Sequence, residues 1–143
     1  MLVKMMPEQV MHYWDNIKEA LKGTLPPYVT DSPDKMMKIQ AGFLGELVQC
    51  WVSVNDKPDV VGFVVTRVLY DDFTDSTNLL IISIYTFEKS TKEDWLGGFE
   101  TIRKFAKGRG CDKIIAYTNE DKILKVVEMF GGVAEYTFVS IDL

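Results

Sequence analysis

The chain has 143 residues, of which 47% are hydrophobic and 26% charged, and its formal net charge is −5. This length suits one domain with a substantial core and is too short for two ordinary domains. Proteins that bind nucleic acid concentrate Lys and Arg on one surface to displace counterions. Here the only basic cluster, between Arg103 and Arg109, shares its predicted helix with acidic residues. The charge pattern therefore argues against nucleic acid as the main partner.

The apolar runs are short, reaching four or five residues as in Leu79–Ile82. A membrane-spanning helix needs about 20 predominantly apolar residues, so no membrane span is expected. The first residues also lack the apolar region and cleavage site of a secretory signal. We expect a cytoplasmic address on these grounds.

Metal and thiol chemistry have few candidate residues. The two cysteines, Cys50 and Cys111, are far apart, and His12 is the only histidine. No zinc or redox spacing is present, so no metal site is predicted. Both cysteines border predicted strands and are interpreted as small buried hydrophobes. A catalytic Cys–His pair is the alternative, although His12 is expected to face solvent.

Two amphipathic helices are predicted in the first third of the chain. The first begins near Pro7 and ends at Gly23, and the second begins at Ser32, which is a good N-cap residue. Apolar residues recur at helical spacing in both. They are Val10, Trp14, Ile17 and Leu21 in the first helix, and Met36, Ile39, Phe43 and Leu47 in the second.

Three strands are predicted next, at residues 50–54, 60–70 and 79–87. A turn at Asn55–Pro58 separates the first two strands, and an acidic loop at Asp71–Asn78 separates the last two. Such short connections are typical of an antiparallel meander.

The last third alternates helices with strands. A helix carrying Trp95, Phe99, Ile102 and Ala106 on one face ends at residues 108–110. A strand at 114–117, a helix capped by Asn119 and stopped at 131–132, and a closing strand at 133–143 follow. A strand–helix–strand unit predicts a right-handed crossover and a parallel pair. The predicted fold is a single α/β (α+β) domain over residues 1–143, with a mixed central sheet flanked by about four helices.

This element order resembles the GNAT superfamily of N-acetyltransferases over nearly the whole chain. Residues 60–65 are similar to the third strand of that family, with its Gly62, and residues 105–111 to the end of its phosphate-facing helix. The stretch from Tyr117 to Asn119, followed by a helix and Gly131, is similar to a later family segment. The resemblance implies the acyl-CoA N-acyltransferase fold.

The resemblance also implies where acetyl-CoA would bind. In the family, the cofactor lies in a gap between the fourth and fifth strands, and its pantetheine arm pairs with strand backbone, here at Ile84, Tyr85 and Thr86. Its pyrophosphate binds the amides of a (Q/R)-x-x-G-x-(G/A) loop at a helix N-terminus, where the helix dipole favours anions. Lys92 and Asn119 are the further cofactor contacts expected if CoA binds.

The pyrophosphate loop departs from the family pattern. It falls on residues 90–95, so that Glu93 and Trp95 occupy the positions of small residues. Glu93 and Asp94 bring negative charge to the place where a pyrophosphate would dock. Ser90 with Glu93, and Thr91 with Asp94, both have capping-box spacing. We therefore expect the helix to cap itself, with Trp95 as a packing residue.

The residues at the family's catalytic positions also depart from the family pattern. Many family members use a tyrosine of the later helix as general acid, and Val127, or Val126 in a shifted alignment, stands there. If the protein is an enzyme, the candidates for proton transfer are Glu88, Asp72 and Tyr85. Each has a plainer interpretation, as surface-loop acid or half-buried strand tyrosine. The sequence also has room for one closing strand where the family usually has two.

Two functions remain open at this stage. The first is a degenerate GNAT-like protein without acetyl transfer, acting as a binding or structural module through a protein partner or self-association. Small proteins of this kind resemble components encoded by tailed bacteriophages, some of them packaged in the virion, so a phage origin would imply a virion location instead of a cytoplasmic one. The alternative is a divergent acetyl-CoA-dependent N-acetyltransferase that acts on a small-molecule amine.

Overall fold

The computed structural model describes residues 1–57 and 59–143. Within them lies one five-stranded sheet of order β1-β2-β3-β4-β5. The strands are β1 (Leu2–Lys4), β2 (Val48–Val54), β3 (Val60–Asp71), β4 (Ser76–Thr86) and β5 (Lys113–Ala116). The helices are α1 (Pro7–His12), α2 (Trp14–Lys22), α3 (Pro27–Thr30), α4 (Pro33–Leu44), α5 (Lys92–Gly108) and α6 (Asp121–Met129).

The sheet is mixed, as predicted. Each of the strands β1, β2 and β3 pairs with the next strand in the chain in antiparallel orientation, and β4 pairs with β5 in parallel orientation. The meander and the parallel pair across a helical crossover are thus confirmed. Strand β1 was not predicted, because three residues are too few to show a strand period. The turn before β3 includes Pro58, which lies outside the described residues, and the Asn55 side chain accepts the amide protons of Lys57 and Asp59.

Apolar side chains cover both faces of the sheet. On one face, Ile17 and Leu21 of α2 and Phe43 of α4 pack with Phe63 and Val65 of β3. Burying each such side chain stabilises the fold by roughly 1.5–3 kcal/mol. On the other face, the main helix is α5. Its Ile102 and Ala106 pack against Trp51 and Leu79.

A buried chain of hydrogen bonds joins β2 to β3 on the α5 face. The indole N–H of Trp51 donates to Thr66 Oγ1 over 2.9 Å, and the Thr66 hydroxyl donates to Gln49 Oε1 over 3.0 Å. The Gln49 amide in turn donates to the Glu46 carbonyl. Thr66 has no solvent exposure, so its hydroxyl has no alternative partner in water.

The helices differ from the predictions in number and ends. There are six in the described residues rather than about four, because the first predicted helix divides at Tyr13 and Pro27–Thr30 forms a short helix of its own. The N-cap of α6 is Glu120 and not Asn119. Leu47 was expected on the buried face of α4 but lies beyond its end and is exposed. None of the described helices has the length and apolarity needed to cross a membrane.

The closing strand predicted at residues 133–143 is wrong. That segment has no strand conformation, although its sequence favours one. A strand needs an edge with which to exchange backbone hydrogen bonds. The segment instead reaches β5 and the residue after it through side chains alone. Lys113 forms a 3.2 Å ion pair with Glu135, and the rings of Tyr117 and Phe138 lie 5.2 Å apart.

Replacing Thr66 tests the buried hydrogen-bond chain. Thr66→Val keeps the volume but leaves the Trp51 indole and the Gln49 amide oxygen without their partner, which should lower the free energy of unfolding by about 1–3 kcal/mol. Urea denaturation followed by circular dichroism measures the loss. Thr86→Val, at an exposed strand position, is the matched control and should change stability by less than about 0.5 kcal/mol. Equal effects of the two changes would contradict this role.

Candidate functional site

An opening in the sheet begins where β4 separates from β5. The two strands pair only over Asn78–Ile81 and Lys113–Ala116. At the same point the β3–β4 register shifts: Val65 faces Ser83 and Thr66 faces Ile81, which leaves Ile82 as the extra residue of a β-bulge. A bulge bends its strand and increases the local twist. Beyond it, β4 continues to Thr86, and among the described residues β3 is its only partner.

Backbone groups of β4 face this opening. The Phe87 amide donates to the Val61 carbonyl over 2.8 Å, so Phe87 is hydrogen-bonded towards β3. Hydrogen-bonding direction alternates along an antiparallel strand. The amide and carbonyl of Tyr85 therefore point to β3, and those of Ile84 and Thr86 point away from it, into the opening. Ile84, Tyr85 and Thr86 were the backbone positions predicted to pair with a pantetheine arm. Two of them, Ile84 and Thr86, thus turn unpaired backbone groups towards the opening.

The side chain of Tyr85 packs on the face of the sheet that carries α2 and α4. It is partly buried against the core, and its ring lies 5.1 Å from that of Phe87, edge to face. A Cβ on Gly23 would lie 2.5 Å from the Tyr85 ring, so a glycine at the end of α2 permits this contact. Next to it, the hydroxyls of Thr24 and Ser83 form a hydrogen bond. These contacts fix β4 to α2 and give Tyr85 a packing role.

The N-terminus of α5 is capped by its own side chains. Thr91 Oγ1 accepts the Asp94 amide proton over 3.1 Å, and the Asp94 carboxylate accepts both the amide and the hydroxyl protons of Thr91 over 2.8 Å. The hydrogen bonds from Thr91 hold the pKa of Asp94 below its ordinary value. Of the two capping boxes predicted, the structure forms Thr91 with Asp94. An ionised carboxylate therefore occupies part of the site where an anion would bind.

Other predicted cofactor contacts lie at the same edge of the sheet. Helices α5 and α6 both begin beyond the carboxyl ends of the parallel pair, the usual ligand-binding edge of α/β sheets. Lys92 and Asn119 are both exposed there. Within the described residues, the amides of Lys92 and Glu93 have no hydrogen-bond partner. Trp95, one turn into α5, is half-buried, in keeping with its predicted packing role.

The candidate bases are separated by the length of β4. Glu88 follows the end of β4 and is exposed at the edge that carries the opening. Asp72 lies in the hairpin turn before Ser76, at the other end of the strand. Ten steps of about 3.3 Å place these two ends roughly 30 Å apart. The structure therefore brings Glu88 to the opening and leaves Asp72 far from it.

The position of the family's tyrosine is filled by a packing residue. Val127 of α6 is half-buried, and Gly132 turns back so closely that a Cβ there would lie 2.5 Å from Val127 Cγ1. A phenol is present at the end of another element, because Tyr117 follows β5 and is 62% exposed. It was not singled out as a proton donor from the sequence, since strand-end tyrosines are common.

An aromatic groove lies near the end of β4, on the face of the sheet that carries α2. Its volume is about 260 Å³, and it is lined by Tyr13, Asn16, Val60, Phe63 and Phe87. The rings of Phe63 and Phe87 meet edge to face at 5.9 Å. The sequence analysis missed this groove because its walls come from three separate elements. The groove offers apolar contact at Phe87, the residue before Glu88 in the chain.

Thiol and metal chemistry find no support in the geometry. Cys50 is 1% exposed, and burial raises the pKa of its thiol to about 12, so it stays protonated at neutral pH. Burial also raises the pKa of Cys111. His12 is exposed, as predicted. Across residues 1–57 and 59–143, no cluster of three His, Cys, Asp or Glu side chains could hold a metal ion.

Comparison with known proteins supports the architecture. No family model matches the chain, and no curated protein matches it. A predicted acetyltransferase from Clostridium acetobutylicum, solved with acetyl-CoA, superposes with a TM-score of 0.75 at 13% identity, over 99% of this chain and 95% of that one. The chain has the GNAT acetyltransferase fold.

Two further solved structures agree with this fold. The ribosomal-protein-alanine N-acetyltransferase from Brucella melitensis biovar Abortus 2308 gives a TM-score of 0.71 at 12% identity, covering 100% of this chain and 99% of its own. AAC(6')-Iy, bound to a CoA-containing bisubstrate analogue, gives 0.74 at 14% identity, covering 100% and 97%. At such identities the similarity shows the GNAT fold and carries no activity or substrate to this chain.

Removing the Asp94 carboxylate tests the cap. Because the folded-state pKa is depressed, the carboxylate stabilises the protein above the ordinary Asp pKa, and this stabilisation is lost as pH falls through the depressed value. Asp94→Ala should therefore lower the melting temperature at pH 7, and the difference from the unchanged protein should shrink in acid. Glu93→Ala removes a negative charge that takes no part in the hydrogen bonds of the cap, so it should lower the melting temperature less than Asp94→Ala does. If Asp94→Ala lowers the melting temperature by the same amount at every pH, the capping role of the ionised Asp94 carboxylate is contradicted.

Proposed function

We propose that this protein is a non-catalytic GNAT-fold module, one domain over residues 1–143, that acts by binding protein rather than by acetyl transfer. The capping box at α5 is the observation that carries the proposal. A helix N-terminus binds a pyrophosphate through free amides and its dipole. Here the Asp94 carboxylate accepts from Thr91, and Glu93 adds a second negative charge in the first turn.

The lack of an assembled proton-transfer pair supports the same proposal. Val127 cannot donate a proton, and Asp72 is remote from the opening. Of the two candidate carboxylate bases, Glu88 alone lies at the edge that carries the opening. A fold alone does not imply its most familiar activity, since sites change while scaffolds persist. Because of the resemblance to phage-encoded GNAT-like components, we propose that the protein acts as part of a virion.

A divergent N-acetyltransferase is the second candidate, and the open edge of β4 favours it. The backbone groups of Ile84 and Thr86 are available to a pantetheine arm, and the free amides of Lys92 and Glu93 to a phosphate. The adjacent aromatic groove would hold the apolar part of an amine substrate, and Glu88 would take its proton. In this case acetyl-CoA is the cofactor and the setting is cytoplasmic.

An acetyl-CoA titration separates the two candidates. For the non-catalytic module, calorimetry and thermal shift should show no saturable binding up to millimolar acetyl-CoA. The double variant Glu93→Gly with Trp95→Gly removes charge and bulk from the loop and should gain measurable binding, with some loss of helix stability. Glu100→Gly with Leu96→Gly, further along the same helix, is the matched control and should gain none. Micromolar binding by the unchanged protein would overturn the first candidate.

A proline on β4 tests the second candidate. Thr86→Pro removes the amide that faces the opening and spares the hydrogen bonds to β3, and the extended Tyr85 before it suits a proline. If acetyl-CoA binds through this edge, its affinity should fall at least about tenfold, equivalent to 1.4 kcal/mol. Thr86→Val keeps the amide and should bind normally. Unchanged affinity in the proline variant would exclude this mode of binding.

A further inference from the structure

An exposed aromatic side chain stands at the tip of the β3–β4 hairpin. Strand β2 pairs with β3 only as far as Arg67, and β5 pairs with β4 only from Asn78 onwards. Residues 70–76, here called the hairpin tip, therefore lie beyond both neighbouring strands. Within the tip, the side chain of Phe73 is 95% exposed. A projecting aromatic ring of this kind is suited to fill a pocket on a partner, as the aromatic anchors of protein interfaces do.

Hydrogen bonds hold the hairpin tip in one shape. The Phe73 amide donates to the Asp71 carboxylate over 3.0 Å, and the Tyr70 hydroxyl donates to the Asp75 carboxylate over 2.8 Å. A segment that is already ordered loses little conformational entropy when it binds. The tip can therefore present its ring to a partner at low entropic cost.

The hairpin tip is also negatively charged. Asp71, Asp72 and Asp75 surround Phe73, all three are exposed, and the tip contains neither Lys nor Arg. Opposite charges across an interface favour association, and like charges oppose it. A surface that covers Phe73 should therefore combine an apolar pocket with positive charge.

A groove with this combination lies between α2 and α4 of the same chain. Its volume is about 320 Å³, which leaves room for an aromatic ring. Trp14, Met36 and Met37 supply apolar walls, and Lys18 and Lys22 lie on the α2 side. Indole rings and methionine sulfur atoms both make favourable contacts with an aromatic ring.

The two lysines of the groove are available to a partner. Lys18 and Lys22 are one helical turn apart, so both lie on the same wall. Their present partners are exposed carboxylates of α2, Asp15 at 3.1 Å and Glu19 at 3.4 Å. Exposed pairs of this kind contribute little to stability and are easily exchanged for other contacts. Among the described residues that line the groove, only Asp31 is anionic.

The aromatic groove near the end of β4 matches the hairpin tip less well. None of the described residues that line it is charged, and Glu88 directly follows Phe87 of its lining. Like-charge repulsion from Glu88 would oppose the acidic tip there. The charge of the tip therefore favours the groove between α2 and α4.

We propose that the hairpin tip of one copy of this chain docks in the α2–α4 groove of a second copy. The Phe73 ring enters between the apolar walls, and the tip carboxylates lie beside Lys18 and Lys22. Tip and groove are different surfaces, so each copy can offer its tip to one neighbour and its groove to another. Neither surface includes the opening beside β4 or the α5 N-terminus. The association is therefore independent of acetyl-CoA binding.

Analytical ultracentrifugation of surface variants tests both sides of the contact. The average mass of the unchanged protein should rise above the 16.3 kDa of one chain as its concentration reaches high micromolar values. Phe73→Ala removes the ring, and Met37→Glu adds a negative charge to the groove. Each should weaken association at least about tenfold. Both positions are exposed, so the circular dichroism spectrum should not change.

Two matched variants serve as controls. Phe73→Tyr keeps an aromatic ring at the tip and should associate as the unchanged protein does. Leu44→Glu adds the same charge as Met37→Glu at another exposed position of α4, outside the groove, and should also associate normally.

Mixing the two weakened variants tests whether tip and groove bind each other. Phe73→Ala keeps an intact groove, and Met37→Glu keeps an intact tip. Each variant alone should remain monomeric, whereas an equimolar mixture should form a pair with one copy of each.

Three outcomes would overturn the proposal. The first is an unchanged protein that stays monomeric at high micromolar concentration, since a different partner, or none, would then cover the tip. The second is an association that Phe73→Ala and Met37→Glu leave unaltered, because the interface would then lie elsewhere on the molecule. The third is a mixture of these variants that stays monomeric although the unchanged protein associates, because tip and groove would then not bind each other.

Discussion

Strand β4 stops exchanging backbone hydrogen bonds with β5 after Ile81, and the rest of the candidate site is arranged around that loss of pairing. Pairing with β5 ends next to the extra residue Ile82 of β4. From there to Thr86 the strand is held by β3 on one side and by the contact of Tyr85 with the end of α2. The unpaired backbone of Ile84 and Thr86 is thus fixed in place by the same contacts that build the core.

The α5 N-terminus and the strand opening have opposite consequences for a cofactor. The strand edge offers free donors and acceptors, whereas the helix end offers only part of its amides because Thr91 and Asp94 satisfy each other. A pyrophosphate that approaches the amides of Lys92 and Glu93 would lie beside the ionised carboxylate of Asp94, which is hydrogen-bonded to Thr91. Like-charge repulsion from Glu93 opposes the same step. The strand edge and the helix end therefore favour different conclusions about cofactor binding, which is why two functions remain in competition.

The sequence predicted those parts that depend on local pattern. The buried faces of α2 and α5, the antiparallel meander and the Thr91 cap follow from spacing and side-chain chemistry, and all are confirmed. The bulge at Ile82 was not predictable, since it arises from the register between two strands. The aromatic groove joins three elements, and the distance of Asp72 from Glu88 follows from the length of a whole strand. Residues 133–143 have a strand sequence but form no backbone hydrogen bonds with β5 within the described residues, which no local pattern reveals.

Amide-resolved NMR during an acetyl-CoA titration tests the central claim most directly, because it reports on the α5 N-terminus and the β4 edge separately. The claim is that the capping carboxylate of Asp94, together with Glu93, repels phosphate from the helix end although the amides of Lys92 and Glu93 are free there. The resonances of Thr91, Lys92 and Glu93 should then remain in place up to millimolar acetyl-CoA. Saturable shifts of these amides at micromolar ligand would contradict the claim and establish the helix end as a working phosphate site.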